Sequence, residues 1–303
     1  MLARLFDGSA YIHRAFHAMP AMERPSDGHP VGAINGFCRT LLKLTSPSYR
    51  AAPARFTAVI FDATRDNWRN STYPEYKAHR PPMDDALRAQ MPLMREAARA
   101  FGLSAIEAAG YEADDILATY ARLFTEEGID VEIVTGDKDL TQLMRPPMDG
   151  LGGVTVHDPF ADENRGRILE VEDVIKKFGV GPSLVRDSLA LQGDATDNVP
   201  GVPGVGVKTA AKLLHAYGSL EGVLANAENA STPKLRATLT DPANQELARI
   251  SYKIVGLEEN VPLTLLEPPS ELEYYAPDMA EVREFFERME FPALVDRVKE
   301  LAA

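Results

Sequence analysis

Cysteine is nearly missing from this chain of 303 residues: Cys38 stands alone, so no internal disulfide can form and nothing in the sulfur content points to secretion. Long apolar runs are missing as well. No segment approaches the roughly 18 apolar residues of a membrane span, and the opening MLARLFDGSAYIHRAF carries no signal-peptide core. These absences place the chain in the cytoplasm, with no membrane partner. Positive charge is in short supply: 32 Lys and Arg stand against 45 Asp and Glu, a formal net charge of −13. As a sum, that argues against a nucleic-acid binder, whose footprint is usually basic. A sum says nothing of where the charges lie, and acids gathered around cations invert the local field. A complete nucleotide loop is also lacking. The stretch GDATDNVPGVPGVGVKTAAKLL at 193–214 comes close to a P-loop, but Val207 separates Gly206 from Lys208 and Thr209.

What is there supports a globular fold of one or two domains with a sizeable core. Short apolar runs read as buried strands: LARLF at 2–6, FTAVIF at 56–61, VEIVT at 131–135 and, more weakly, LSAI at 103–106. Between them lie helical patterns at 34–44, at 86–101 and in ADDILATYARLFTEEG, where Ile116, Leu117, Tyr120, Leu123 and Phe124 share one face and Gly128 closes the helix. Alternating strand and helix predicts an α/β fold with a mostly parallel sheet flanked by helices. After about residue 170 the strand signals stop and short helical segments punctuated by glycine follow. The stretches 145–153 and 267–269, rich in Pro and Gly, read as loops, and 145–167 as a whole looks long and irregular.

The acids fall at informative places. Asp7 and Asp62 each follow a predicted strand; Asp137 and Asp139 follow VEIVT, and Glu112, Asp114 and Asp115 follow LSAI through a short loop. The carboxyl ends of parallel strands share one edge of a sheet, and ligand sites form in the crevice outside it. Each acid alone fits a loop or a helix N-terminus, where the dipole favours it. Acids at four strand ends together predict a crowded crevice whose carboxylates raise one another's pKa values until cations neutralise them. All-oxygen ligands suit Mg²⁺ or Mn²⁺, and two such ions make a phosphodiester site. The segment WRNSTYPEYKAHRP at 68–81 sets Arg69, Lys77 and Arg80 beside Trp68, Tyr73 and Tyr76. That mixture suits a single nucleic-acid strand, with charges on phosphates and rings on bases; alternatively it is a solvated loop.

LFDGSAYIHRAFHAMP, VIFDA, YPEYKAHRP, GYEADDILA, VTGDKDLTQL and LQGDATDNVPGVPGVGVKTAAKLL follow one another in this order. Together they resemble the bacterial 5′-3′ exonuclease/flap endonuclease family, especially the N-terminal nuclease domain of DNA polymerase I. The likeness covers nearly the whole chain. It implies a PIN-like α/β catalytic domain at 1–169 with a helical arch around 65–90. At 170–303 it implies a helical DNA-binding domain carrying a helix-three-turn-helix motif at 199–214. It implies a first metal site of Asp7, Asp62, Glu112, Asp114 and Asp115, and a second of Asp137, Asp139, Asp194 and Asp197. Lys77, Arg80 and Arg14 match basic residues that act on the scissile phosphate and the 5′ strand, and Tyr76 joins the DNA-binding set. The hairpin brings Gly201, Gly204 and Gly206 close to a duplex phosphate, with Lys208, Thr209 and Lys212 on the helix that follows. Two Mg²⁺ ions, replaceable by Mn²⁺, and a K⁺ ion at the hairpin are implied. So are DNA substrates with 5′ flaps, nicks or ends, RNA primers, and either a polymerase following in the native gene or a stand-alone relative of that nuclease domain.

Other readings fit less well. A haloacid-dehalogenase-type phosphatase wants a second Asp two residues after the first, where this chain has Ser9. A P-loop enzyme fails on Val207 and on the polar GDATDN in place of a strand. A PIN-type ribonuclease shares the acid logic but needs neither arch nor second domain. A non-catalytic junction binder would tolerate Asn at positions that here are all acids.

Overall fold

The computed structural model describes residues 1–45, 54–161 and 166–302. Strands β1 (Leu2–Asp7), β2 (Phe56–Ile60), β3 (Ser104–Ile106), β4 (Asp130–Val134), β5 (Val154–Asp158) and β6 (Arg167–Ile168) form one sheet in the order β3-β2-β1-β4-β5-β6. The first five run parallel, and β6 pairs antiparallel at the edge. Leu5 lies opposite Ala58 on one side and Ile133 on the other. The apolar runs thus sit at the centre of the sheet, buried on both faces as parallel strands require.

The helices that follow the strands supply the cover. α1 (Gly8–Ala18), α2 (Gly32–Leu44), the short α3 (Trp68–Thr72), α4 (Asp85–Ala100) and α5 (Ala113–Glu126) complete the first half. Phe6, Val59 and Val134 pack under α1, α2 and α4 against Phe37, Phe61 and Phe101. On the opposite face Leu5, Ile60 and Ile133 pack against Leu117 and Phe124 of α5.

The second half is helical: α6 (Val171–Phe178), α7 (Val185–Gln192), α8 (Val207–Tyr217), α9 (Leu220–Ala225), α10 (Pro233–Thr240) and α11 (Pro242–Val255). They share a core of Val174, Leu189, Leu213, Val223 and Ile254. The last helices, α12 (Met279–Arg288) and α13 (Pro292–Ala302), return to the first half, where Val282, Phe285, Phe286 and Leu294 join Met94 and Phe101. A boundary at 169/170 therefore follows chain order, whereas by packing the last two helices belong with the sheet.

The stretch 145–167 is not all loop. Val154 and Val156 of β5 are buried on the α5 face, and β5 extends the sheet beside β4. Two prolines and three glycines just upstream mask the strand in the sequence. Residues 162–165 of the same stretch lie outside the described residues.

Candidate active site and nucleic-acid interface

Asp7 ends β1 and caps α1, its Oδ1 accepting from the Ala10 N–H at 3.0 Å and its Oδ2 from the Thr135 hydroxyl at 2.7 Å. The helix starts at once because residue 8 is glycine: a Cβ there would stand 2.6 Å from the Phe61 ring. Asp62 follows β2; its N–H donates to Ser9 Oγ at 2.9 Å, and its Oδ1 accepts from the Ala113 N–H at 2.8 Å. Asp114 stands in the first turn of α5. Burial, then Asp137, Asp7 and Glu112, hold its carboxyl well above the usual carboxylate range. Burial likewise pushes Asp7 up to about 7, with Asp62 and Asp137 adding to it against the bonds from Ala10 and Thr135.

Glu112, the N-cap of α5, is the opposite case. Its Oε1 accepts from Lys77 Nζ at 2.8 Å and from Asn67 Nδ2 at 3.1 Å, and its Oε2 accepts from the Tyr76 hydroxyl at 3.0 Å. Burial alone would raise it, but Lys77 and Arg69 outweigh burial and its pKa lies below the usual value.

A second group gathers where the chain leaves β4. Asp139 is pushed up to about 7 by burial and by Asp137, with Asp194 and Asp197 adding to it. Its Oδ1 is buried without a hydrogen-bond partner, and the Lys138 ammonium stands 3.4 Å away. Lys138 itself donates to Asp194 Oδ2. Burial raises Asp194, yet the Lys138 bond and the Thr196 N–H bring its pKa below the usual value. Asp197 Oδ1 accepts from Arg80, while Asp197 Oδ2 lies 3.3 Å from the Tyr76 hydroxyl and 3.5 Å from Lys77 Nζ. Asp137 presses on Asp7 and Asp114 as well as on Asp139, so it joins the two groups.

Asp115 stands apart from them. It is 0% exposed, and Arg69, 2% exposed, grips it with Nη1 on Oδ2 and Nη2 on Oδ1, both at 2.7 Å. Trp68 Nε1 and the Glu112 N–H donate to Oδ2, and the Glu258 N–H donates to Oδ1. These donors fill the acceptor positions of the carboxylate, so the pattern that groups Asp115 with Asp114 joins two different roles.

Among the described residues no three of the acids are arranged to hold one metal ion as they stand, and Lys77, Arg80 and Lys138 are seated on Glu112, Asp197 and Asp194. The donor set nevertheless fits a hard cation. The crevice is all oxygen, several of its acids are held up in pKa by burial and, after it, by one another's charge, and a buried oxygen of Asp139 has no hydrogen bond.

The remaining residues singled out in the sequence divide in the same way. Lys77 and Arg80 reach the crevice. Arg14 is exposed on α1, its guanidinium 4.1 Å above the Phe160 ring. Arg69 is buried in its ion pair and does not track phosphates. Tyr76, 4% exposed, belongs to the core of the helical half and offers no stacking face. Gly201 is buried too. Its φ of +61° and its close approach to Gly193 fold the hairpin, and its N–H donates to Ser251 Oγ at 3.0 Å. Gly204 and Gly206 face open space, and Lys208 and Lys212 are exposed on α8, with Thr209 half-buried between them. The N–H groups of Val207 and Lys208 open α8, whereas those of Thr209 and Ala210 already donate to the Gly206 carbonyl at 2.9 Å. The sequence reading missed Lys138, although it sits between two singled-out acids in GDKD. It also missed Thr135 and Ser9, whose hydroxyls orient Asp7 and Asp62.

A parallel sheet with acids massed at its carboxyl edge, joined to a helical half with an open glycine hairpin, defines the class of a 5′ nuclease. Residues 3–179 match the 5′-3′ exonuclease N-terminal resolvase-like domain, and residues 180–280 match the 5′-3′ exonuclease C-terminal SAM fold. The chain belongs to the 5′-3′ exonuclease family. It is 42% identical to DNA polymerase I of Rhizobium leguminosarum over 98% of its own length but only 28% of that protein's. It is 36% identical to the 5′-3′ exonuclease of Aquifex aeolicus over 98% of this chain and 95% of that one. Its fold is similar to that of a bacteriophage T5 flap endonuclease in a pseudo-enzyme–product complex with DNA and metal ions. That likeness has a TM-score of 0.64 and 19% identity, over 96% of this chain and 100% of that one. No helix among the described residues is long and apolar enough to cross a membrane.

Proposed function

We propose that the chain is a structure-specific 5′ nuclease that hydrolyses phosphodiester bonds at 5′ flaps, nicks and ends of DNA, and of RNA primers on DNA, in replication and repair. It works in the cytoplasm, where it meets DNA. The observation that carries this reading is the convergence of Asp7, Asp62, Glu112, Asp114, Asp137, Asp139, Asp194 and Asp197 on one crevice rimmed by Lys77 and Arg80. In this reading Asp7, Asp62, Glu112 and Asp114 hold one Mg²⁺, and Asp139, Asp194 and Asp197 a second, with Asp137 between the sets; Mn²⁺ can substitute. Bound there, the ions supply hydroxide at neutral pH and stabilise charge on the attacking and leaving oxygens.

The chain's own residues do the rest. Lys77 and Arg80, seated on Glu112 and Asp197, stand at the rim where they would face the scissile phosphate and neutralise its developing charge. Arg14 lies further out and guides the 5′ strand. In the hydrolysis a water oxygen bonds to phosphorus and the P–O3′ bond breaks. The 3′ oxygen takes up the proton that the water gives off, leaving a 3′ hydroxyl on one product, and the phosphate stays on the 5′ oxygen of the other.

Duplex DNA is held apart from the chemistry, at the second half's hairpin. Gly204 and Gly206 leave the backbone open, and the start of α8 with Lys208 and Lys212 presents N–H groups and charge to one phosphate. A K⁺ ion held by backbone carbonyls of the same hairpin would complete the contact to that phosphate.

Cleavage of a 5′-labelled flap duplex tests the reading. Mg²⁺ should support cutting, EDTA should abolish it, and Asp137→Asn should lower the rate by at least about 10²-fold. Equal cutting in EDTA, or full activity in the variant, sinks the mechanism.

A further inference from the structure

The crevice is rimmed by a turn, outside any regular element, that hydrogen bonds from neighbouring segments hold in shape, among them Asn70 Nδ2 to Tyr76 O at 3.1 Å. Residues 74–81 carry both Lys77 and Arg80 and are held locally by single-turn bonds, such as Ala78 N–H to Glu75 O at 3.1 Å and Arg80 N–H to Lys77 O at 3.0 Å. Lys77 sits at φ +53°, a left-handed conformation that a side-chain-bearing residue adopts only under constraint. On the inner side the constraint is clear. The Lys77 N–H donates to Asp197 O at 2.9 Å, and Asn198 Nδ2 donates to Glu75 O at 2.7 Å. On the outer side packing does not supply it, because a cavity of about 370 Å³ opens there, lined by Arg65, Asn70, Tyr76, Lys77, Arg80 and Pro82.

Arg65 spans that side. Its Nη2 donates to the carbonyls of Lys77, at 3.3 Å, and of Arg80, and its Nη1 donates to that of Pro81 at 3.3 Å. A planar guanidinium reaches the three carbonyls from two separate nitrogens; the three donors of a lysine ammonium radiate from a single nitrogen and do not reproduce that fork. The other end of Arg65 is anchored to the carboxylate frame. Asn67 Nδ2 reaches the Arg65 carbonyl at 3.4 Å and Glu112 Oε1 at 3.1 Å, and Asp62, three residues upstream, is fixed by the Ala113 N–H.

We propose that Arg65 is a positioning residue for the nuclease reaction: it clasps the 77–81 turn to the carboxylate frame and so sets where Lys77 delivers its charge. Arg65 acts through Lys77 and touches no reacting group. Its loss lets the turn drift, and misplacement of a catalytic group by about an ångström is worth up to 10²-fold in rate.

The inference rests on the role proposed above for Lys77, and a double-mutant cycle separates the two. Single-turnover cleavage and flap-duplex affinity are measured for wild type, Arg65→Ala, Arg65→Lys, Lys77→Ala and Arg65→Ala with Lys77→Ala. Arg65→Ala should slow the single-turnover rate roughly 10-fold with affinity changed less than about 2-fold, and Arg65→Lys should not restore it. In the Lys77→Ala background the Arg65 substitution should add nothing. An equal further loss in that background overturns the proposal, as does full rescue by lysine or a loss confined to affinity. If Lys77→Ala slows cleavage and Arg65→Ala does not, the Arg65 inference alone fails. If Lys77→Ala leaves the rate untouched, the reading of Lys77 fails and takes the inference with it.

Discussion

Asp114 and Asp115 are neighbours in the first turn of α5, and they live in opposite electrostatic worlds. Asp114 faces other carboxylates and is held protonated-prone by burial and by Asp137, Asp7 and Glu112. Asp115 faces a buried arginine, which supplies two hydrogen bonds, and three further donors. One region is frustrated until something positive enters it; the other is complete as folded. The complete region does more than fill space. Arg69 also donates to the carbonyls of Ile254 at 2.8 Å and Gly256 at 2.9 Å, so the same ion pair ties α3 and α5 to the end of α11 in the helical half. A frustrated site thus stands on a satisfied one, and the two should fail differently when broken.

The largest expected difference is in stability. Arg69→Ala leaves Asp115 buried without its partner, and breaking a buried pair in this way costs about 3–5 kcal/mol. Denaturant unfolding followed by circular dichroism should show it. Asp114→Asn, by contrast, removes a repelled carboxylate and should leave the unfolding midpoint unchanged or slightly higher. A large midpoint drop for Asp114→Asn with none for Arg69→Ala would reverse the comparison.

A smaller effect sharpens it through pH. Asp7 and Asp139 are raised to about 7 in the folded chain against roughly 4 when unfolded. Between those values the native state binds more protons than the unfolded state, so stability falls as pH rises. Glu112 and Asp194 shift the other way, and their gain is already complete by about pH 4.5, so they do not offset this window. Calorimetric melting in EDTA should therefore show Tm decreasing from pH 4.5 to 7. Added Mg²⁺ should flatten or reverse the slope at the upper end, where the acids ionise. A Tm in EDTA that climbs steadily through this window would contradict the assignment of the crowded acids.

Much of this was legible in the sequence, for identifiable reasons. The central strands are unbroken apolar runs because both of their faces are covered, and acids directly after such runs must lie at one sheet edge. β5 was hidden because its short alternation is framed by prolines and glycines, which are locally turn formers although the ladder with β4 overrides them. Asp115 was grouped with Asp114 because the letters are identical. One residue along a helix turns the side chain by about 100°, and the partner that decides its fate, Arg69, is 46 residues away. Arg69 and Tyr76 looked like strand-tracking residues beside Lys77 and Arg80. Composition could not show that Arg69 and Tyr76 are buried beneath the crevice acids, Tyr76 with its hydroxyl on Glu112, while Lys77 and Arg80 stand more open at the rim. The three glycines of the hairpin share one letter and two uses: Gly201 folds against Gly193, while Gly204 and Gly206 leave the backbone open.

The central claim is that the crowded acids form the cation site and Asp115 does not. Mn²⁺ binding followed by electron paramagnetic resonance in the wild type, Asp114→Asn and Asp115→Asn tests it most directly. Asp114→Asn should lose or weaken a bound ion by at least about 10-fold. Asp115→Asn, measured where it remains folded, should bind the wild-type number of ions. An Asp115→Asn protein that is folded but has lost an ion, beside an Asp114→Asn protein that has kept them all, would contradict the account.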